Sequence, residues 1–338
     1  MADDPPLMDR GEHPFLYDLT RRLRASRTNQ PRSGSAKLLV DTGDDAAVFQ
    51  PGAHPIAITT DALVEEVHFR RDWILPHELG RRSIEVNFSD LAAMGARPFM
   101  TLAAIEAPAA TPTAWLDAIL EGCADASDDA GANLAGGNLT QAETFAITIT
   151  ALGEIPGRIL ERTGARPGDD LIVTGKLGDA AAAVAAWRQG HSPQPEQRDR
   201  WKAPRARIHA GLALAKAGAH AAIDLSDGLM ADLGHLCAAS EIGAEIQRDA
   251  LPRTDGIARL DARGADFAAT GGEDYELLIA CPPEVTANLG QLSDAAQVEL
   301  TVIGHCTEAT GQILLRGSNQ EPVEVGRGFD HFANRRGG

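Results

Sequence analysis

The sequence predicts an α/β protein of two domains. Three observations carry this: a chain of 338 residues, longer than one compact core usually reaches; strands that alternate with helices in both halves; and a polar, Gly- and Pro-rich stretch at 156–168 that separates them. With 43% hydrophobic and 23% charged residues and no short-period repeat, the composition supports a sizeable core.

In order, residues 1–12 are polar, and 14–23 place Phe15, Leu16, Leu19 and Leu23 at helical spacing. Residues 24–36 read as a basic, mobile loop. Leu38-Leu39-Val40 leads to the turn Gly43-Asp44-Asp45, and 55–60 read as a strand that ends at Asp61. A helix over 78–94 is stopped by Gly95 and Pro98. Its Ile84, Phe88 and Leu91 form the buried stripe, while Ser83, Asn87 and Asp90 share a neighbouring face, from which Asp90 can reach a site. Thr111-Pro112 reads as a cap with proline at the first helical position of a helix that runs to Asp129. Phe145, Ile147 and Ile149 alternate as in a half-buried strand.

Beyond the boundary, Leu171-Ile172-Val173 is a buried strand and 179–189 an alanine-rich helix ended by Gly190. Residues 190–204, with three prolines and several charges, read as an exposed loop, and 205–216 as helix. Residues 221–223 form a strand into Asp224, after which Leu229, Leu233 and Leu236 mark a helix face. Strands are expected at 275–281, entered through Gly271-Gly272, and at 298–303 and 312–315.

The net charge of −17 argues against nucleic acid and anionic membrane surfaces as partners. Four dispersed cysteines, Cys123, Cys237, Cys281 and Cys306, form no zinc pattern and no disulfide framework. The chain shows no bilayer-length apolar run and an acidic, Pro-rich start, so the cytoplasm is the expected compartment. Gly175-Lys176 lacks the upstream glycine of a P-loop, and neither a protein-kinase signature set nor a G-x-S-x-G elbow occurs.

Carboxylates punctuate the chain at Gly43-Asp44-Asp45, Thr59-Thr60-Asp61, Asn87-Phe88-Ser89-Asp90, Asp224-Leu225-Ser226-Asp227-Gly228 and Gly271-Gly272-Glu273-Asp274-Tyr275. Singly, each has an ordinary explanation: a turn for Asp44-Asp45, a helix cap for Ser226 or Asp227, a solvated position for Asp90. Asp61 is harder to dismiss, because a carboxylate after an apolar strand needs metal or hydrogen bonds. Together they could hold several Mg²⁺ ions, with the hydroxyls of Thr59, Thr60 and Ser226 suited to the same shell. Such charge is what two mutually repelling phosphates would need.

In order and wording these motifs resemble the thiamine-monophosphate kinases of the aminoimidazole ribonucleotide synthetase-like superfamily. The resemblance runs from Gly43-Asp44-Asp45-Ala46-Ala47 through Asn87 to Ala96, Gly136-Gly137, Thr163-Gly164, Asp224 to Leu229 and Gly271 to Leu277, to Gly328-Phe329-Asp330-His331-Phe332. It implies an α+β N-terminal domain (1–155) whose sheet helps form a homodimer, and an α/β C-terminal domain (156–338). It also implies ATP, several Mg²⁺ ions and thiamine monophosphate as acceptor. Carried over by motif, Asp45, Thr59, Thr60, Asp61, Asp90, Asp224 and Asp227 are the expected metal ligands, with Asp61, Asp224 and Asp227 central to catalysis. Gly137, Asn138, Arg162 and Ser226 are the expected ATP contacts, and His68, Glu273 and Phe329 the acceptor positions. One departure stands out: Asn138 follows the paired glycines where the family often has aspartate. It keeps open a nucleotide- or thiamine-phosphate-binding protein without catalysis, beside a superfamily enzyme with another acceptor.

Overall fold

The computed structural model describes residues 48–319 throughout, together with Asp18, Arg22, 35–40, Ala46 and 321–323. The expected turn at Asp44-Asp45, with Asp45 as an expected metal ligand, the expected acceptor position Phe329, and most of the expected 14–23 helix and 24–36 loop lie outside the described residues. Two units are distinct: 1–91 with 96–156, and 92–95 with 157–338.

In the first unit, β1 (Lys37–Val40) and β2 (Val48–Gln50) form an antiparallel ribbon. A four-stranded sheet follows in the order β3-β6-β4-β5, made of β3 (Ile56–Val64), β4 (Arg97–Ala107), β5 (Asn133–Gln141) and β6 (Ala146–Glu154). Only β4 and β5 are parallel, and α2 (Thr113–Asp129) supplies the crossover that a parallel pair requires. Before it lies α1 (Pro76–Ala93), on which Ile84, Phe88 and Leu91 are buried as their spacing predicts. Phe145, Ile147 and Ile149 line the covered face of the sheet, where Trp115 meets Phe145 edge-on at 4.7 Å. The other face carries Ile58, 67% exposed.

Two local expectations change. β3 does not stop at Asp61 but runs on to Val64, because each residue through Val64 keeps its antiparallel partner on β6. Pro112 is itself the N-cap of α2 rather than its first helical residue, and no side chain caps it; Thr111 is buried, its hydroxyl without a hydrogen-bond partner.

The second unit holds a six-stranded sheet in the order β12-β9-β11-β7-β10-β8. Its strands are β7 (Asp170–Thr174), β8 (Ala221–Asp224), β9 (Gly243–Gln247), β10 (Leu277–Cys281), β11 (Leu300–Thr307) and β12 (Ile313–Arg316). All neighbours are antiparallel except β12 and β9. Its helices are α3 (Asp179–Arg188), α4 (Pro195–Lys202), α5 (Ile208–Ala217), α6 (Leu229–Ser240), α7 (Asp255–Ala258), α8 (Asp261–Thr270), α9 (Pro283–Thr286) and α10 (Leu289–Ala296). Alternation along β7 sends Leu171 and Val173 into a core with Leu229, Leu233 and Leu236 of α6, and Ile172 into another with Leu214 of α5 and Leu292 of α10. Both faces are therefore covered, which explains why these strands read as continuous apolar runs.

Within 190–204, where the composition reads as a loop, the chain forms α4. Pro195 stands in its first turn, where no amide hydrogen is needed, and Gln194 and Gln197 complete a reciprocal capping box. The payload of this short helix is Trp201, 0% exposed.

Candidate functional site

In the first unit the acidic group is assembled by β3 and α1. Thr59 and Asp61, two residues apart on one strand, share a face of β3. The Thr59 hydroxyl donates to Asp90 Oδ2 at 2.5 Å, so two oxygen donors from strand and helix already touch. Asn87, one turn before Asp90 and buried, sets this junction: its Oδ1 accepts from the Asp61 amide at 3.0 Å, and its Nδ2 donates to the Ser83 carbonyl at 2.9 Å. Thr60 points to the other face, donating to the Ile149 carbonyl at 2.9 Å. Asp61 is exposed and Asp90 half-buried, so neither carboxylate carries the full cost of burial.

His68 sits just past β3 and accepts at Nδ1 from the Val64 amide at 3.0 Å. That bond places the neutral ring's proton on Nε2. Gly137 and Asn138 lie in β5 rather than in a turn. Cross-strand register puts Asp61, Ile149, Ala103 and Gly137 in one row, and Ala62, Thr148, Ala104 and Asn138 in the next. Adjacent rows face opposite sides, so the sheet does not bring the Asn138 side chain to the Asp61–Asp90 group. Gly137 answers a close approach: a Cβ there would lie 1.9 Å from the Ala103 carbonyl oxygen.

In the second unit Asp224 ends β8 and is buried, and Ser226 and Asp227 follow it in the loop before α6. Neither Ser226 nor Asp227 caps α6; Gly228 occupies the N-cap, at φ 113°. The acceptor for the loop's amides is Asp232, whose Oδ2 takes the N–H groups of both Asp227 and Gly228 at 3.1 Å. Burial, with the Asp227 carboxylate beside it, pushes the Asp232 carboxyl up to about 7; those two amides and the Arg162 guanidinium pull the other way. One oxygen each of Asp227 and Asp232 and one nitrogen of His235 lie within 4.8 Å of one another. Arg162 itself is exposed, its carbonyl accepting from the Ser240 hydroxyl at 2.8 Å.

Glu273 lies on a second loop zipped to the first. Its amide donates to the Ser226 carbonyl at 2.8 Å, the Tyr275 amide to Leu225 at 2.9 Å, and the Leu225 amide back to Glu276 at 2.8 Å. Glu273 and Tyr275 hold φ of 71° and 50°, a left-handed backbone that costs about 1–3 kcal/mol per residue and persists only when the surroundings enforce it. Three side-chain anchors enforce it. The Trp201 indole N–H donates to Glu273 Oε2; Asp274 accepts from the Gly178 amide with both oxygens, at 3.1 and 3.0 Å; and Glu276 accepts from Arg200 at 2.7 Å, Arg207 at 2.5 and 2.6 Å and Thr174 at 2.6 Å.

The sequence reading missed Asn87 as a bridge, and it missed Asp232, Trp201 and Glu276. Asn87 was findable from its spacing with Asp90, and Asp232 from its place in the first turn of a helix whose cap residue is glycine. Trp201 was hidden in a segment that reads as loop.

All the donors gathered around Asp61 and Asp90 are hard oxygens, and a threonine hydroxyl already engaged with a carboxylate keeps lone pairs for a cation. These residues fit Mg²⁺. Asp227 fits it as well, while the buried Asp232 oxygen is committed to two amides.

Residues 43–155 match the family model "AIR synthase related protein, N-terminal domain", and 166–315 match "AIR synthase related protein, C-terminal domain". A thiamine-monophosphate kinase of Escherichia coli (strain K12) is 37% identical over 335 residues, covering 96% of this chain and 98% of its own. The crystal structure of thiamine-monophosphate kinase from Stenotrophomonas maltophilia K279a superposes with a TM-score of 0.78 at 34% identity, covering 91% of this chain and 97% of that one. A structure described as AaThiL complexed with AMPPCP and TMP superposes with a TM-score of 0.72 at 28% identity, over 98% and 100% of the two chains.

Proposed function

We propose that this chain, which belongs to the thiamine-monophosphate kinase family, transfers the γ-phosphate of ATP to the phosphate of thiamine monophosphate, giving thiamine diphosphate and ADP. The observation that carries the reading is a kinase relative 37% identical across 96% of the chain, so the likeness extends over both units. The neighbour solved with AMPPCP and TMP supports the pair of substrates.

The chemistry fits the residues. A phosphate monoester has a second pKa of about 6, so the acceptor oxygen is already anionic near neutral pH and needs no strong base. What the protein must supply is alignment and relief of repulsion, which favours direct in-line transfer without a phosphoenzyme. Thr59, Asp61 and Asp90 of the first unit, and Asp224 and Asp227 of the second, are the residues that would hold Mg²⁺, with Asp45 outside the described residues; Thr60, expected from the sequence to join them, turns its hydroxyl to the other face of the sheet and does not. Bound there, Mg²⁺ would neutralise the phosphate oxygens. Asn87 keeps Asp61 and Asp90 in one arrangement. Gly137, Asn138, Arg162 and Ser226 contact ATP in this reading, Asn138 giving an oxygen without charge; His68, Glu273 and Phe329 receive the acceptor.

A homodimer and a cytoplasmic location belong to the same proposal. The open sheet face around Ile58 supports the first, and four buried free thiols support the second. Among the described residues no helix is long and apolar enough to cross a membrane.

The test is the purified protein with ATP, Mg²⁺ and thiamine monophosphate, scored for ADP and thiamine diphosphate together. Equal amounts of both, lost with EDTA and lost in Asp61→Asn with its circular dichroism unchanged, are expected. Nucleotide binding without product would favour the non-catalytic reading, and undiminished activity of Asp61→Asn would remove Asp61 from the metal site.

A further inference from the structure

Glu273 reaches the acceptor site on a loop whose backbone is held in the left-handed region, yet backbone bonds alone do not orient its carboxylate. That carboxylate is held by an aromatic residue from α4. Trp201 is completely buried, stands edge-on against Trp187 with ring centroids 4.9 Å apart, and directs its indole N–H at Glu273 Oε2. The next link in the chain of contacts is Arg200, adjacent to Trp201, which donates to the Lys176 carbonyl at 3.1 Å and to Glu276 at 2.7 Å. Helix α4 is thereby tied to both ends of the Glu273–Glu276 run. An indole N–H can only donate, so its partner must be an acceptor, and a carboxylate is the strongest one available.

We propose that Trp201 is a positioning residue for the acceptor: it fixes the rotation of the Glu273 carboxylate and with it the direction from which that negative charge meets the thiazolium cation and aminopyrimidine of thiamine monophosphate. The proposal rests on the reading of Glu273 as an acceptor-binding residue. A free carboxylate would sample several rotamers and lose part of its binding in being ordered, whereas one held by a buried donor is organised beforehand. The indole N–H acts through Glu273, so its effect belongs to the acceptor and not to the nucleotide.

Trp201→Phe keeps the ring and its contact with Trp187 but removes the N–H. It is expected to raise KM for thiamine monophosphate about 3- to 10-fold, the range for having to order one side chain on binding. KM for ATP should stay within about twofold, and kcat should change less than the acceptor KM. Glu273→Gln should raise the acceptor KM by itself, and adding Trp201→Phe to it should cost about twofold at most, since the two act as one unit. If the folded Trp201→Phe enzyme keeps a normal acceptor KM while Glu273→Gln does not, the inference about Trp201 is overturned and the reading of Glu273 stands. If Glu273→Gln leaves acceptor KM unchanged, the reading of Glu273 itself fails. Should Trp201→Phe not fold, the indole ¹⁵N–¹H resonances of the four tryptophans decide the matter in the native chain. One resonance that moves both on Glu273→Gln and on adding thiamine monophosphate supports the coupling, and four that stay in place refute it.

Discussion

Glu276 offers the sharpest test of how the second unit holds its acidic loop. The side chain is 1% exposed and accepts from the guanidinium groups of Arg200 and Arg207 and from the Thr174 hydroxyl, which in turn takes the Leu277 amide at 2.8 Å. Glu276→Gln keeps the shape and one carbonyl oxygen, but it sets an NH₂ group against an arginine donor and leaves two cations without their counter-charge. Removing one partner of a buried ion pair costs about 3–5 kcal/mol. Here Arg200 is 33% exposed and Arg207 16%, so water recovers part of the loss and the lower end, about 3 kcal/mol, applies. With a urea dependence of about 3 kcal/mol per molar, the unfolding midpoint of this unit should fall by roughly 1 M. The assay is urea denaturation followed by tryptophan fluorescence, since Trp187 and Trp201 both report on this unit. A midpoint within about 0.3 M of wild type would refute the assignment of Glu276 as a buried structural anion. Replacing Glu276, Arg200 and Arg207 together by methionine should restore much of the loss, because a fully apolar core carries no unpaired charge.

Three further outcomes follow from other parts of the molecule. Gly137→Ala must push β5 away from β4, because the new Cβ would sit 1.9 Å from the Ala103 carbonyl oxygen; a loss of about 3 kcal/mol, seen as a Tm lower by roughly 6–12 °C, is expected, and an unchanged Tm would contradict the register. Asn138→Asp lies on an exposed strand position, on the sheet face opposite Asp61, and should leave both Tm and the Mg²⁺ concentration for half-maximal turnover unchanged; a lowered Mg²⁺ requirement would place Asn138 at the metal. Burial pushes the thiols of Cys123, Cys281 and Cys306 up to about 12 and that of Cys237 to about 11, so a disulfide reagent at pH 8 should titrate none of the four in the native chain and all four in guanidinium. Rapid reaction of even one would show that it is not buried.

Much of this fold is legible where a pattern repeats. Ile84, Phe88 and Leu91 announce α1, Leu229, Leu233 and Leu236 announce α6, and both stripes are buried as read. Strands fare less well. β4 and β5 pass unnoticed because Ala103, Ala104, Gly136 and Gly137 lack the β-branched bulk by which a strand is recognised; at Gly137 close backbone approach is the reason. In the sequence β3 reads as stopping at Asp61 because a charge ends the apolar run, yet ladder pairing with β6 carries it three residues further. Helix α4 is masked by prolines and charges, although Pro195 in the first turn is the position a helix tolerates. For the candidate site, the carboxylates themselves stand out in the sequence. Their supports are harder to read: Asn87 acts on the Asp61 amide, Asp232 on two loop amides and Trp201 through its indole N–H, contacts that only the folded chain brings together.

Transfer of the γ-phosphorus of ATP onto the phosphate of thiamine monophosphate underlies every role assigned above. It is tested by running the reaction with ATP carrying ¹⁸O at the γ-phosphorus and reading the products by ³¹P NMR. The label is expected in the terminal phosphate of thiamine diphosphate, one for each ADP formed, and none in free phosphate. Labelled inorganic phosphate with no labelled thiamine diphosphate would contradict it.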